Sequence, residues 1–128
     1  MRIIIFFLLF VYSLLANEYV QREECISDSG IPPMDCFSSE YEYYDHELNR
    51  LYTIQIEHLQ EPNKTRLKEA QRAWINFRDK DCAYSAGPQS EGGSLWYIEY
   101  SGCMIARTKN RIRELDFYVK CRENGCPE

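Results

Sequence analysis

Residues Leu67 to Cys82 read L-K-E-A-Q-R-A-W-I-N-F-R-D-K-D-C, and the reading of this stretch decides the fold. Leu67, Ala70, Trp74, Phe77 and Asp81 recur at spacings of three and four, which sets them on one side of a helix from about Thr65 to Tyr84. Gln71 and Arg78 border that stripe, so its edges are unusually polar. Working toward the N-terminus, Ser38 to Gln60 contains no glycine or proline, and Tyr41, Tyr44, Leu48, Leu51, Gln55 and Leu59 trace a second buried face. Ser38 or Ser39 can cap this helix, and Pro62 follows its end. Toward the C-terminus, Ile98, Ser101, Ile105, Thr108, Ile112, Leu115 and Val119 keep the same period over a long seam. Strand-like alternation is missing. The pattern predicts an all-α fold, a small disulfide-stapled bundle of about three main helices spanning residues 38–120. Its expected core includes Leu48, Tyr52, Leu67, Trp74, Phe77, Ile105, Ile112 and Leu115.

Residues 85–94, S-A-G-P-Q-S-E-G-G-S, interrupt the helical pattern at Gly87-Pro88 and again at Gly92-Gly93, predicting a loop. Two roles fit it. In one, Ser94 caps the third helix, Gly92 and Gly93 form the turn, and Trp96 fills the core. In the other, the loop binds a partner through Tyr84, Glu91, Gly92, Gly93, Ser94, Trp96 and Tyr97, since loops on a rigid scaffold and aromatic anchors carry recognition. The tyrosine-rich first helix around Tyr41, Tyr43 and Tyr44 is the second candidate surface.

Met1-Arg2 followed by an apolar run through Leu15 has the form of a signal peptide, too short to span a bilayer, with Ala16 before Asn17 as the cleavage point. The whole chain carries 15 basic and 20 acidic residues, a net charge of −5. Loss of residues 1–16 removes Arg2 and makes the mature chain −6. Such a chain is a poor ligand for nucleic acid or anionic lipid, and its field favours encounter with a basic partner. After cleavage no membrane attachment is expected. An extended segment, residues 17–37, precedes the helical domain, and a tail, residues 121–128, follows it.

All six cysteines, Cys25, Cys36, Cys82, Cys103, Cys121 and Cys126, lie beyond the leader. An even count in a short exported domain points to a disulfide framework, and six cysteines allow fifteen pairings. Glu123-Asn124-Gly125 supplies turn residues between the last two.

The "L..AQRAWI.FRD..C" helix, the Gly92-Gly93-Ser94 loop and Cys103 together resemble the LprI-type lysozyme-inhibitor family, small cell-envelope proteins. Cys25, Met34, Cys36, Tyr41, Asp45, Leu48, Asn49 and Tyr52 fall on the family's upstream stretch, and Thr108, Arg111 and Leu115 on its downstream one. With sequence order, the resemblance implies pairing of Cys25 with Cys36, of Cys82 with Cys103, and of Cys121 with Cys126. It implies a periplasmic or secreted protein that binds a basic lysozyme and blocks its cleft. An envelope immunity or adaptor protein with another secreted partner is the alternative reading.

Enzyme chemistry finds little support. His46 and His58 lie twelve residues apart on one helix, too far to share an ion, and no Cys-His spacing resembles a zinc site. Ser94 has no nucleophile-elbow context, and Gly92-Gly93 is too short to cradle a phosphate. No cofactor or metal is expected. Arg78 and Arg111 are expected to fork to Asp45, Asp79 or Asp81 and fix helix register, the alternative being that one of them protrudes toward the acid pair in a lysozyme cleft.

Overall fold

The computed structural model describes residues 34–124 and residue 126. The expected signal peptide and Cys25 lie outside these residues. Three helices make up the body: α1, Met34–His58; α2, Asn63–Ala86; and α3, Gln89–Lys120, which runs into a 3-10 turn, Cys121–Asn124. No strand occurs among the described residues, and the fold is all-α. Phe37 onward forms one compact unit, and Met34–Cys36 fall outside it. Short connections at residues 59–62 and 87–88 reverse the chain twice, so α2 runs against both neighbours.

α1 and α3 begin earlier than their sequence caps suggest, and α2 begins at Asn63 rather than at about Thr65. α1 starts at Met34 with Asp35 in its first turn, where a carboxylate complements the helix dipole, and Ser38 lies inside the helix. The segment expected to be extended through residue 37 is therefore helical over its last four positions. At the start of α2 the capping group is a side chain from outside: the Glu61 carboxylate accepts from the Thr65 backbone N–H at 3.2 Å and from its hydroxyl at 2.7 Å. α3 opens at Gln89 directly after Pro88, five positions before Ser94, so Ser94 is not the residue preceding the first turn. Gly92 is helical. The break falls at Gly93 alone, whose φ of 53° and ψ of −134° lie where glycine is favoured.

Leu48, Leu51, Leu59, Leu67 and Leu115 form the buried apolar cluster, with Tyr52, Trp74 and Ile112 packed against it as half-buried flanks. Ile105 and Met104 extend the interior along α3. Phe77 departs from expectation and is 52% exposed. α2 is turned by about one residue from the stripe of its most apolar positions, so that Leu67, Gln71, Arg78 and Cys82 are buried and Ala70 and Phe77 face outward. The Phe77 ring there lies under the Arg107 guanidinium at 5.6 Å.

That rotation gives the bundle a polar seam of buried Gln55, Gln71, Arg78, Ser101, Thr108 and Arg111. Arg111 donates from Nε to Gln71 Oε1 at 3.0 Å and from Nη1 to Glu114 at 2.6 Å, rather than reaching the aspartates expected for it. Arg78 pairs with Asp79 at 2.9 Å and lies 3.8 Å from Asp45. Both guanidinium groups lie near the Trp74 ring, Arg78 at 5.1 Å and Arg111 at 5.9 Å from its centre. Every buried charge thus has a carboxylate or amide within reach, which is what allows it to stay inside.

Two disulfides complete the frame. Cys82 on α2 is joined to Cys103 on α3, with Cα atoms 5.5 Å apart. Cys121 is joined to Cys126, closing the turn after α3. Arg122, inside that closed turn, donates to the Ile54 carbonyl at 2.9 Å and to Gln55 at 3.0 Å, tying the end of the chain to α1. Cys36 is also disulfide-bonded; its expected partner, Cys25, lies outside the described residues.

Candidate aromatic groove

At the end of the bundle where α1 and α3 begin, a groove of about 430 Å³ opens between the two helices. Its apolar wall is made by Phe37, Tyr41, Trp96, Tyr97, Tyr100 and Met104, and its polar groups are Ser38, Glu42, Gln89 and Ser101. Helical spacing explains the assembly: Phe37 and Tyr41 are one turn apart on α1, as are Trp96, Tyr100 and Met104 on α3.

Trp96 is fixed from three sides. Its indole N–H donates to the Gly87 carbonyl at 2.8 Å, its ring stacks on Tyr100 at 4.8 Å with planes 10° apart, and its Cβ packs against Gly92. A Cβ at Gly92 would fall 2.5 Å from that of Trp96, so a side chain there would push the indole away. Gly87, at φ 71°, closes α2 in a conformation that also favours glycine. The turn between α2 and α3 is therefore the mounting of Trp96. Across the groove, the Tyr97 hydroxyl and Ser38 Oγ share a hydrogen bond of 2.6 Å, joining α3 to α1.

Tyr41 faces the groove while the Arg78 guanidinium lies 5.8 Å from its ring centre. Burial raises the Tyr41 pKa above its ordinary value, Arg78 opposing in the other direction. Glu42 stands exposed in the lining, and Glu91 is exposed in the first turn of α3. Among the described residues no cationic side chain lines the groove.

Of the residues expected to bind a partner, Trp96 and Tyr97 line this groove, and Gly92 supports Trp96 from behind. Gly93 shapes the backbone. Glu91 and Ser94 are exposed nearby without forming the wall, and Tyr84 stands out at 87% exposure on α2. Phe37, Gln89, Tyr100 and Met104 escaped the sequence reading. For Tyr100 and Met104 the signal was available, since they follow Trp96 at four-residue intervals. Tyr41, from the alternative surface on the first helix, belongs to the same groove, whereas Tyr44 lies beside Lys109, 4.5 Å from its ammonium.

A second cavity, about 290 Å³, lies toward the opposite end beside Leu59, Leu67 and Tyr118. Its polar lining groups Gln55 and Arg111 are already engaged with Arg122 and Gln71. Asp81 lies close to Cys82 and Cys103, but the two sulfurs are bonded to each other and hold no thiolate for a metal.

A family model described as "Lysozyme inhibitor LprI" matches residues 25–115. An uncharacterized protein of Rhizobium meliloti is 33% identical, the match covering 85% of this chain and 88% of that protein. The uncharacterized protein YecT of Escherichia coli is 30% identical, with 65% of this chain and 60% of YecT covered. No solved structure matches the chain significantly.

Proposed function

The chain belongs to the LprI lysozyme-inhibitor family, and from that premise we propose that it is an exported, non-enzymatic binding protein that inhibits a lysozyme by seating the aromatic groove against the enzyme's substrate cleft. The observation that carries this reading is the groove itself: mounted aromatic rings beside a carboxylate with no ion-pair partner among the described residues, on an acidic chain. Aromatic side chains held rigid lose little entropy on binding and supply most of the contact energy of an interface. The net charge of −5 speeds encounter with a basic enzyme. Disulfides fit the periplasm or the extracellular medium, and no helix among the described residues is long and apolar enough to cross a membrane.

The test is a bacterial-lysis assay with the purified, oxidised protein against several c-type lysozymes, comparing wild type with Tyr97→Ala. Wild type should slow lysis by at least one lysozyme, and the variant should lose most of that effect while remaining folded. Failure of the wild type against every lysozyme would turn attention to a different secreted partner.

A further inference from the structure

One pattern recurs through the body of this protein: a cation lies over an aromatic face and is also engaged by a carboxylate. Arg78 lies over Trp74 and pairs with Asp79. Arg107 lies over Phe77 and pairs with Asp81 at 2.6 Å. Lys109 lies over Tyr44 and pairs with Glu40 at 3.4 Å. Arg111 lies near the Trp74 ring and pairs with Glu114. Arg78 lies near the Tyr41 ring without lining the groove; at Trp96, Tyr97 and Tyr100 the groove has two of these three members, rings and the Glu42 carboxylate, and among the described residues no cation lines it. Glu42 has no ion-pair partner among the described residues.

We propose that the groove receives one arginine or lysine side chain projecting from the partner protein, its stem against Trp96 and Tyr97 and its charge at Glu42. This inference deepens the proposed lysozyme-binding role and rests on the groove being the partner-facing surface. The chemistry is complementary at both ends of such a side chain: aliphatic carbons meet ring faces, and the cation meets a carboxylate and the negative faces of the rings. A volume of about 430 Å³ admits a side chain from the tip of a loop. A neutral side chain would leave Glu42 as it is, whereas a carboxylate would meet like charge.

The probes are the blocked tripeptides acetyl-Gly-Arg-Gly-amide and acetyl-Gly-Gln-Gly-amide, with chitotriose as a saccharide probe. Each is titrated into the full-length mature protein and followed by the Trp96 indole N–H resonance, assigned with Trp96→Phe. The arginine peptide should shift this resonance saturably and the glutamine peptide should not. Glu42→Gln, an exposed helix position whose fold is checked by its spectrum, should weaken the arginine peptide by roughly fivefold or more. Equal binding to wild type and Glu42→Gln would overturn the proposal, as would a Trp96 response to chitotriose without one to the arginine peptide, which would mark a sugar site. The parallel lysis assay separates the two ideas. Inhibition by both wild type and Glu42→Gln, with no peptide response, sinks the cation site and leaves the inhibitor reading intact. Arginine seating without inhibition of any lysozyme does the reverse.

Discussion

Removing the Cys82–Cys103 bridge by the double change Cys82→Ala and Cys103→Ala should cost the protein about 3 kcal/mol, and the loss should fall most heavily on partner binding. The magnitude comes from the chain. The cross-link closes a segment of 21 residues, for which loop-closure entropy gives roughly 3 kcal/mol, while the Cys121–Cys126 bridge closes only 5 and is worth roughly 2 kcal/mol. Alanine is the appropriate replacement because Cys82 is fully buried and serine would strand a hydroxyl there. The functional consequence follows from what the longer loop contains. Gln89, Trp96, Tyr97, Tyr100 and Ser101, all the α3 residues of the groove except Met104, lie between the two cysteines. Urea unfolding followed by circular dichroism measures the first effect and the lysis assay at a temperature where both variants are folded measures the second. At about 4–8 °C per kcal/mol, the melting temperature should drop by more than 10 °C. A loss below about 1 kcal/mol, or equal losses of inhibition on removing either bridge, would refute the reasoning.

Three further outcomes are expected. Thr108 is wholly buried and its hydroxyl has no hydrogen-bond partner among the described residues, so Thr108→Val should raise stability by about 1 kcal/mol in a urea melt; a fall would mean that the hydroxyl is bonded in solution. Trp74→Ala should cost about 3 kcal/mol, because it opens a hole against the leucine cluster and removes the ring shared by Arg78 and Arg111; a surface-like effect below about 1 kcal/mol in the same melt would contradict the seam. Burial raises the Tyr41 pKa, so the folded state holds this proton more tightly than the unfolded state does. Its contribution is complete below the ordinary value of 10.0 and is lost as the pH climbs through the folded value. Tyr41→Phe should accordingly flatten part of the alkaline decline in stability, measured by melts across that range.

Periodicity was sufficient for α1 and the residue that follows it, where Leu48, Leu51, Gln55 and Leu59 all prove buried, because most of the apolar positions there are also the inward ones. It misled by one residue on α2, where Ala70 and Phe77 attract an apolar stripe but Gln71, Arg78 and Cys82 face inward. The reason is physical: Arg78 and Arg111 both lie near one indole, an arrangement that depends on partners 33 positions apart and leaves no trace in a local window. Gly92-Gly93 was read as a turn since glycine weakens helices, yet only Gly93 leaves the helix, while Gly92 is required by the close approach of Trp96. The groove was half legible. Trp96 and Tyr97 stood out beside the loop, but Phe37 and Tyr41 reach them only through the packing of α1 on α3.

The contacts of Arg111 with Trp74 and Gln71 bear on how this chain avoids folding wrongly. Leucine cores tolerate sliding, because one methyl group packs nearly as well as the next. Slipping α2 along α3 by a turn of about 5.4 Å would carry Arg111 away from Gln71 and Trp74, the two partners it reaches across the helix pair, while Glu114 would travel with it on α3. The buried Gln71 amide and the Arg111 Nε–H would then lose each other as hydrogen-bond partners, at a cost of about 1–3 kcal/mol. Competing registers are therefore raised in energy even where they bury as much leucine, and the landscape narrows toward one alignment. That alignment also brings Cys82 opposite Cys103, so oxidation seals a helix pairing that electrostatics has already selected.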